Sequence, residues 1–302
     1  MRVIYNLKDI RGTKSCVLSL GVFDGMHLAH QKILEEACAK AASIGSKSVV
    51  VTFHPHPKAK QSLYSLDHRL HLLACLGVDV CVVIRFTASF SLISAYSFIK
   101  NIIFKRIKPS FIYVGNNFRF GHNAKGDAQF LKKFSGEYGF KLRVFDTIKV
   151  NGEPVSSTYI RQLIKTGKLN RARHFLLRPV SILGTVIKGN ALARRLGVPT
   201  ANLNPHHEVL PASGIYAVKV FLEGKIYNGI SYIGTRPTLH KKFCKPKVHI
   251  EVHIFDFSRS IYGKNMEVFF LNKIRNDKKF SSLQSLKRQI EKDILACHKF
   301  FA

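Results

Sequence analysis

The chain has 302 residues, of which 46% are hydrophobic and 22% charged, a composition that excludes a disordered chain and leaves room for two globular domains. No apolar stretch approaches the ~20 residues that a membrane-spanning helix needs, and the residues after Met1 are interrupted by charge too soon for a secretory signal. The 48 lysines and arginines against 18 acidic residues give a formal net charge of +30, which suits anionic ligands.

The first half of the chain alternates short apolar runs with helical patterns. The predicted strands cover residues 16–20, 49–53, 80–84 and 111–114, and the predicted helices cover residues 30–43, 66–76 and 96–106. Gly45 and Gly77 follow the first two helices as stop signals. Repeated strand–helix–strand units predict an open, mostly parallel, Rossmann-like α/β sheet, which binds ligands at the carboxyl ends of its strands.

The pattern changes near residue 180, where strand-like segments begin to recur at short spacing. These segments cover residues 180–187, 215–221, 226–233, 248–255 and 266–271, with Gly and Pro turns between them. They predict a small antiparallel β-barrel, followed by a C-terminal helix that begins at Ser282. We therefore predict two domains, residues 1–179 and residues 180–302.

Two segments of the first domain have the chemistry of an anion site. The turn over residues 21–30 leads into a helix with His27 and His30 on one face, and a helix N-terminus attracts anions. Residues 155–161 place a cluster of hydroxyls at the next helix start, with Arg161 about one turn further on. Each segment alone is more typical of a surface turn or of an ordinary helix cap than of a ligand site.

Taken together, in this order on an α/β chain, the two segments resemble the HxGH and [ST]SSTxxR pair that holds ATP in nucleotidyltransferases. The run TFHPHP at residues 52–57 and the run GNNFRFG at residues 115–121 resemble the TFxPHP and GxxFRFG motifs of prokaryotic FAD synthetases. The resemblance covers residues 15–165. It implies a nucleotidyltransferase domain that adenylates FMN to FAD and releases pyrophosphate.

The same resemblance implies roles for single residues. His27, His30 and Arg161 would act on the ATP phosphates during catalysis, and His54 and Asn117 would lie toward FMN. The residues that it assigns to ATP binding are Gly21, Phe23, Asp24, His27, His30, Ser157, Thr158 and Arg161.

The second domain carries three segments that resemble those of riboflavin kinases. They are LGVPTAN at residues 196–202, GTRPT at residues 234–238 and VHIEVHIFDF at residues 248–257, similar to LGFPTAN, GTRPT and xxEVHxxDF. The resemblance implies that Gly189, Thr200 and Asn202 bind ATP, with Thr200 and Asn202 also at a Mg²⁺ ion. It further implies that Glu251 is the base that takes the proton from the 5′-hydroxyl of the ribityl chain.

The predicted function is a cytoplasmic bifunctional enzyme that uses ATP and Mg²⁺ to convert riboflavin to FMN and FMN to FAD. Six cysteines without a CxxC pair exclude a zinc knuckle or a dithiol redox motif and fit a reducing compartment.

Two alternatives stay open at this point. The +30 charge would also suit a nucleic-acid-binding protein on a nucleotidyltransferase scaffold, although the basic residues are spread along the whole chain. Each half carries an alanine where the family usually has glycine, Ala29 and Ala193, which would allow a chain with only one active half. A further departure is Tyr232, where Asn is common.

Overall fold

The computed structural model of the chain describes residues 1–11, 13–59, 61–189, 196–206, 208–235 and 248–302. These residues form two compact units, Met1–Ser157 and Thr158–Ala302. The domain boundary predicted between residues 179 and 180 lies later in the chain, so the segment 158–179 belongs to the second unit. Over the described ranges, no helix is long and apolar enough to cross a membrane.

The first unit is built on a six-stranded sheet with connecting helices. Its strands are β1 (Arg2–Ile4), β2 (Val17–Leu20), β3 (Ser48–His54), β4 (Val80–Arg85), β5 (Phe111–Gly115) and β6 (Lys141–Phe145). Its helices are α1 (Leu28–Ser43), α2 (Leu66–Cys75), α3 (Ala88–Ser91), α4 (Ala95–Ser97), α5 (Ala128–Lys133) and α6 (Ser135–Tyr138). Short 3₁₀ turns cover Leu7–Asp9 and His122–Ala124, and β7 (Lys149–Val150) pairs with β8 (Glu153–Pro154).

The six-stranded sheet has the order β1-β4-β3-β2-β5-β6, and all of its pairings are parallel. Alternate residues of each strand face opposite sides of the sheet, as the pleat requires. Val49 and Val51 join one apolar cluster with Ile103, whereas Val50 joins another with Leu73. Both faces are therefore covered, and the predicted open parallel α/β sheet is confirmed.

The segment predicted as an α-helix over residues 96–106 has a different geometry. After α4 the chain continues as a π-helix over Phe98–Ile107, and the N–H of Lys108 donates to the carbonyl of Ile103, five residues back (2.9 Å). Six of its ten residues are buried. Such a dense apolar pattern fills one side of either kind of helix, so periodicity could not distinguish the two.

The second unit begins with two helices and continues as a closed antiparallel barrel. Its helices are α7 (Ser157–Lys165), α8 (Leu169–Leu176) and α9 (Leu283–Phe301). Its strands are β9 (Val180–Ile187), β10 (Ala201–Asn204), β11 (Gly214–Leu222), β12 (Lys225–Thr235), β13 (Val248–Ile254) and β14 (Asn265–Asn276). The barrel order is β10-β13-β12-β11-β14-β9. The predicted barrel and C-terminal helix are confirmed, but β10 was not predicted.

Helix α9 is held on the barrel by apolar packing and by one ion pair. Cys297 is fully buried in a cluster with Ile215, Ile230 and other residues of the barrel. The guanidinium of Arg275 on β14 donates to both carboxylate oxygens of Asp293, at 2.8 and 2.7 Å, and Asp293 is only 3% exposed. Paired, fork-like hydrogen bonds of this kind are strong and directional, so they fix the helix against the strand.

A prediction concerns the smallest piece of the chain that folds as a barrel. Helix α8 packs on β9 and β14, and its Phe175 and Leu176 are buried. Burying side chains of this size contributes roughly 1.5–3 kcal/mol each, so a fragment of residues 158–302 is expected to unfold at a higher temperature than one of residues 180–302. Thermal unfolding of both fragments checks this. Equal midpoints, or no effect of Phe175→Ala with Leu176→Ala in the longer fragment, would contradict it.

Candidate active sites

A cavity of about 720 Å³ opens at the carboxyl ends of the parallel strands of the first unit. Its walls come from the turn after β2, the end of β3 with the residues after it, the end of β5 and the segment after β6. This is the position where open parallel sheets bind ligands. The lining residues include Gly21, Phe23, Asp24, His27, His30, Asn117 and Ser157, seven of the residues that the sequence predicted for this site.

The two histidines of the HxxH run lie together at the start of α1. His27 is the N-cap, and its Nδ1 accepts a hydrogen bond from the backbone N–H of His30 (3.4 Å). The two rings stack with their centroids 3.6 Å apart, and the Phe23 and His30 rings pack edge-to-face. A neutral His27 that accepts at Nδ1 carries its proton on Nε2. The site therefore combines imidazole donors with the amides of a helix N-terminus, a combination suited to phosphate.

Asp24 has a structural role that the sequence did not indicate. Its side chain is buried, and its carboxylate accepts the backbone N–H groups of Leu63 (3.1 Å) and Tyr64 (3.2 Å). Its backbone carbonyl accepts the hydroxyl of Ser157 (2.8 Å). The carboxylate thus ties the loop before α2 to the turn after β2. It thereby fixes the turn that carries part of the predicted ATP site.

The structure places His56, rather than His54, in the wall of the cavity. His54 is exposed and is not among the lining residues. His56 Nδ1 accepts the backbone N–H groups of Lys58 and Ala59, and its Nε2 lies 3.8 Å from the carboxylate of Asp24. The sequence could not distinguish the two, because both histidines of TFHPHP precede a proline.

Asn117 is placed in the cavity wall by the loop after β5. Its side-chain amide donates to the hydroxyl of Thr147 (3.3 Å), which in turn donates to the side chain of Asn116 (3.2 Å). Thr158 and Arg161 lie one turn apart on α7 and belong to the second compact unit.

Another part of the cavity lining is apolar and aromatic, and the sequence motifs did not predict this wall. Its lining includes Phe53, Phe86, Phe90, Phe98, Phe118 and Phe120. Neighbouring rings in this group lie 5.4–6.4 Å apart in edge-to-face, tilted or stacked arrangements. Such a wall suits a flat aromatic ligand. The available signal was the abundance of phenylalanine, 23 residues in a chain without tryptophan.

The barrel of the second unit brings four predicted residues together. Strand β10 pairs with β13 so that Asn202 lies directly opposite Glu251. The hydroxyl of Thr200 donates to the Glu251 carboxylate (3.2 Å). Gly189 follows β9, and a Cβ atom at this position would overlap the side-chain amide of Asn202. The absence of a side chain at Gly189 therefore leaves room for Asn202.

Two neighbours of Glu251 add contacts that the motifs did not reveal. His253 Nδ1 lies 2.7 Å from the carbonyl oxygen of Pro199, so it ties β13 to the segment that carries Thr200. Tyr232 lies opposite Glu251 on β12, and its hydroxyl donates to Asp277 (3.2 Å). Ala193 and the residues 236–238 of the GTRPT run lie outside the described residues.

Comparison with known proteins identifies the family. The FAD synthetase family model matches residues 9–159, and the riboflavin kinase family model matches residues 176–301. The whole chain is similar to the bifunctional riboflavin kinase/FMN adenylyltransferase of Haemophilus influenzae, with 36% identity over 99% of that protein. The chain belongs to the bifunctional riboflavin kinase/FMN adenylyltransferase family. A second family member, from Escherichia coli K12, is also 36% identical, over the whole chain and 97% of that protein.

A solved structure has the same fold as this family member. It is described as a macrolide-efflux protein from Streptococcus pneumoniae and matches 98% of each chain with a TM-score of 0.83 and 30% identity. From this likeness we take the fold alone, since one fold can serve several functions. The resemblance that the motifs predicted is confirmed by the two family models and the full-length relatives.

Proposed function

We propose that this chain phosphorylates riboflavin to FMN at the barrel and adenylates FMN to FAD at the cavity of the first unit, with ATP as co-substrate for both. The observation that carries the proposal is the barrel site, where separate motifs meet. The Thr200 hydroxyl donates a hydrogen bond to the Glu251 carboxylate, and Asn202 lies opposite Glu251 on the neighbouring strand. Family membership over the full length supports both activities.

At the barrel site, the 5′-hydroxyl oxygen of riboflavin attacks the γ-phosphorus of ATP. The bond from that phosphorus to its bridging oxygen breaks, and ADP leaves with the electron pair. Glu251 accepts the proton of the attacking hydroxyl, which requires its carboxylate to lie within hydrogen-bond reach. The Thr200 hydroxyl and the neighbouring strands hold that carboxylate in one orientation.

Thr200 and Asn202 would hold Mg²⁺ at this site. A hydroxyl and an amide oxygen are the hard oxygen donors that this ion prefers, and Mg²⁺ in such enzymes keeps substrate phosphates as further ligands. When bound, the ion neutralises charge on the transferred phosphoryl group. Gly189 leaves the space that Asn202 needs for this role.

At the cavity of the first unit, a phosphate oxygen of FMN attacks the α-phosphorus of ATP in line. The bond between the α-phosphorus and the oxygen that bridges to the β-phosphorus breaks, and pyrophosphate leaves. No bond to the protein forms, so positioning and charge stabilisation supply the catalysis. His27 and His30 donate to the phosphates beside the N-terminal amides of α1, and the resemblance of the [ST]SSTxxR motif assigns Arg161 to the triphosphate.

The remaining predicted residues of this cavity divide between the two ligands, ATP and FMN. Gly21, Phe23, Asp24 and Ser157 would contact ATP, and the aromatic wall and Asn117 would contact the flavin; the motif resemblance also assigns Thr158 to ATP. His54 is left out because it lies outside the cavity lining. Ala29 lines the cavity within the first turn of α1, where alanine keeps helical geometry easily. We therefore expect activity to persist at this site.

The cytoplasm is the compartment that fits this proposal. Both reactions use ATP, and the five cysteines in the described part of the chain are all unbridged. Reduced thiols of this kind are typical of the cytosol.

Separate assays of the two half-reactions test the proposal. The chain with riboflavin, ATP and Mg²⁺ is expected to form FMN and then FAD, and with supplied FMN it is expected to form FAD and pyrophosphate. FMN without FAD, or FAD from FMN alone, would show a chain with one active half. Neither product, together with salt-sensitive retention of single-stranded nucleic acid, would favour the nucleic-acid-binding alternative.

A further inference from the structure

A buried arginine lies beneath the cavity of the first unit. Arg69 is on α2 and is only 2% exposed. Its Nη1 donates to the carbonyl of Val22 (2.6 Å) and to the hydroxyl of Thr52 (3.0 Å), and its Nη2 donates to the carbonyl of Phe53 (3.2 Å). The Thr52 hydroxyl itself donates to the same Val22 carbonyl (2.8 Å).

These acceptors belong to two neighbouring segments of the cavity wall. Val22 lies in the turn after β2, Phe53 lies near the end of β3, and both line the cavity. One side chain from α2 therefore connects the carboxyl ends of two parallel strands where they meet the ligand site. The planar guanidinium suits this task, because it presents several N–H groups in a fixed fork.

The hydrogen bond from Arg69 to Val22 influences the position of His30 through a single residue, Phe23. Because a peptide unit is planar, two donors that hold the Val22 carbonyl also fix the direction of the following Phe23 N–H. Phe23 has a left-handed backbone (φ 53°), which non-glycine residues adopt only when their surroundings hold them there. Its ring contacts His30 edge-on, with centroids 5.3 Å apart. A shift of the turn would therefore move the ring that packs on His30.

The charge of Arg69 also favours an anion in the cavity. Burial lowers the pKa of the guanidinium, and the nearby Asp24 carboxylate partly opposes that shift. An arginine still remains protonated at neutral pH. A buried positive charge acts at a lower effective dielectric than an exposed one, so it attracts phosphate more strongly at a given distance.

We propose that Arg69 is a positioning residue for adenylyl transfer, which holds the turn after β2 and the end of β3 in the arrangement that His27 and His30 need. The inference rests on the proposed adenylyltransferase activity of this cavity. It concerns a residue outside the sequence motifs, on the apolar face of α2 that also carries Leu66 and Leu73.

The test uses three variants of the full chain: Arg69→Met, Arg69→Lys and Leu73→Ala. Methionine keeps much of the length of the arginine side chain but has no hydrogen-bond donors, whereas lysine keeps the positive charge and can make some of the hydrogen bonds. Leu73 is fully buried one turn further along α2 and belongs to the same apolar cluster as Phe23, but its side chain has no hydrogen-bond donor. Leu73→Ala is therefore a matched control for loss of core packing that leaves the Arg69 hydrogen bonds in place. For each variant, kcat and KM for FAD formation from FMN are measured. The thermal unfolding midpoint reports the stability of each variant, and riboflavin phosphorylation by the same chain serves as the internal reference.

The expected result is a roughly 10–10²-fold lower kcat for FAD formation in Arg69→Met, the size of effect that a small misplacement of catalytic groups produces. Arg69→Lys is expected to recover most of that loss, and riboflavin phosphorylation should stay within about twofold in all three variants, since it uses the other site. If Leu73→Ala lost as much kcat at the same unfolding temperature, or if Arg69→Met kept the parent kcat, the inference would be overturned. If the unsubstituted chain formed no FAD from FMN, the proposed function itself would fail instead.

Discussion

Replacement of Glu251 by glutamine is expected to lower the rate of riboflavin phosphorylation by roughly 10²–10⁴-fold. Glutamine keeps the shape of the side chain and can still accept the Thr200 hydroxyl, but it cannot take a proton at neutral pH. FAD formation from supplied FMN should be unaffected, because that reaction uses the cavity of the first unit. Separate rate measurements of the two half-reactions check both parts.

Glu223→Gln provides a matched control in the same barrel. Glu223 is a half-exposed carboxylate that pairs with Lys264 (3.1 Å), and exposed pairs contribute about 0–1 kcal/mol to stability. This variant is expected to keep the parent kinase rate. A Glu251→Gln variant within a few-fold of the parent rate would remove Glu251 as the base. Phosphoryl transfer could then still proceed, with the proton leaving late in a loose transition state.

Replacement of His30 by alanine is expected to lower FAD formation from FMN by roughly 10²–10³-fold, the effect of losing one donor to charge that develops in a transition state. His30 stacks on His27 and lines the cavity at the start of α1, so its loss removes both a donor and the support of a second one. Riboflavin phosphorylation should be nearly unchanged. Arg161→Ala is expected to act in the same direction.

His71→Ala is the control for the loss of an imidazole from the same unit. His71 is an exposed residue of α2 that contacts Cys75 (3.7 Å) and does not line the cavity. The His71→Ala variant should keep both riboflavin phosphorylation and FAD formation. A folded His30→Ala chain that lost both activities together would contradict the assignment of two separate sites.

Much of the fold was predictable because its signals are local. The apolar runs that predicted strands over residues 49–53 and 80–84 became β3 and β4 with only one or two residues added. These runs are buried on both faces of the sheet, so nearly every position is apolar and the strand is easy to identify. The α/β sheet, the barrel with its C-terminal helix and the enzyme family are all confirmed.

What the sequence did not reveal depends on contacts between distant segments. Strand β10 has only four residues, and it is held as a strand by pairing with β9 on one side and β13 on the other. Arg69 stands on an apolar helix face, where a charged residue is a recognisable signal, but its acceptors are backbone carbonyls that no motif records. The same holds for Asp24, whose carboxylate binds amides some forty positions away.

Strand β10 limits which changes of length the kinase half can accept during evolution. Its four residues close the barrel, with Asn202 beside Glu251 and Leu203 buried in the interior. Because side chains alternate along a strand, gain or loss of one residue here would exchange the two positions, so that an amide would enter the core and a leucine would lie beside Glu251. Gain or loss of two residues would return each side chain to its original face of the strand, but it would shift Thr200 away from Glu251. Natural insertions and deletions in this family are therefore expected to fall in the connections around β10 and to leave its four positions intact.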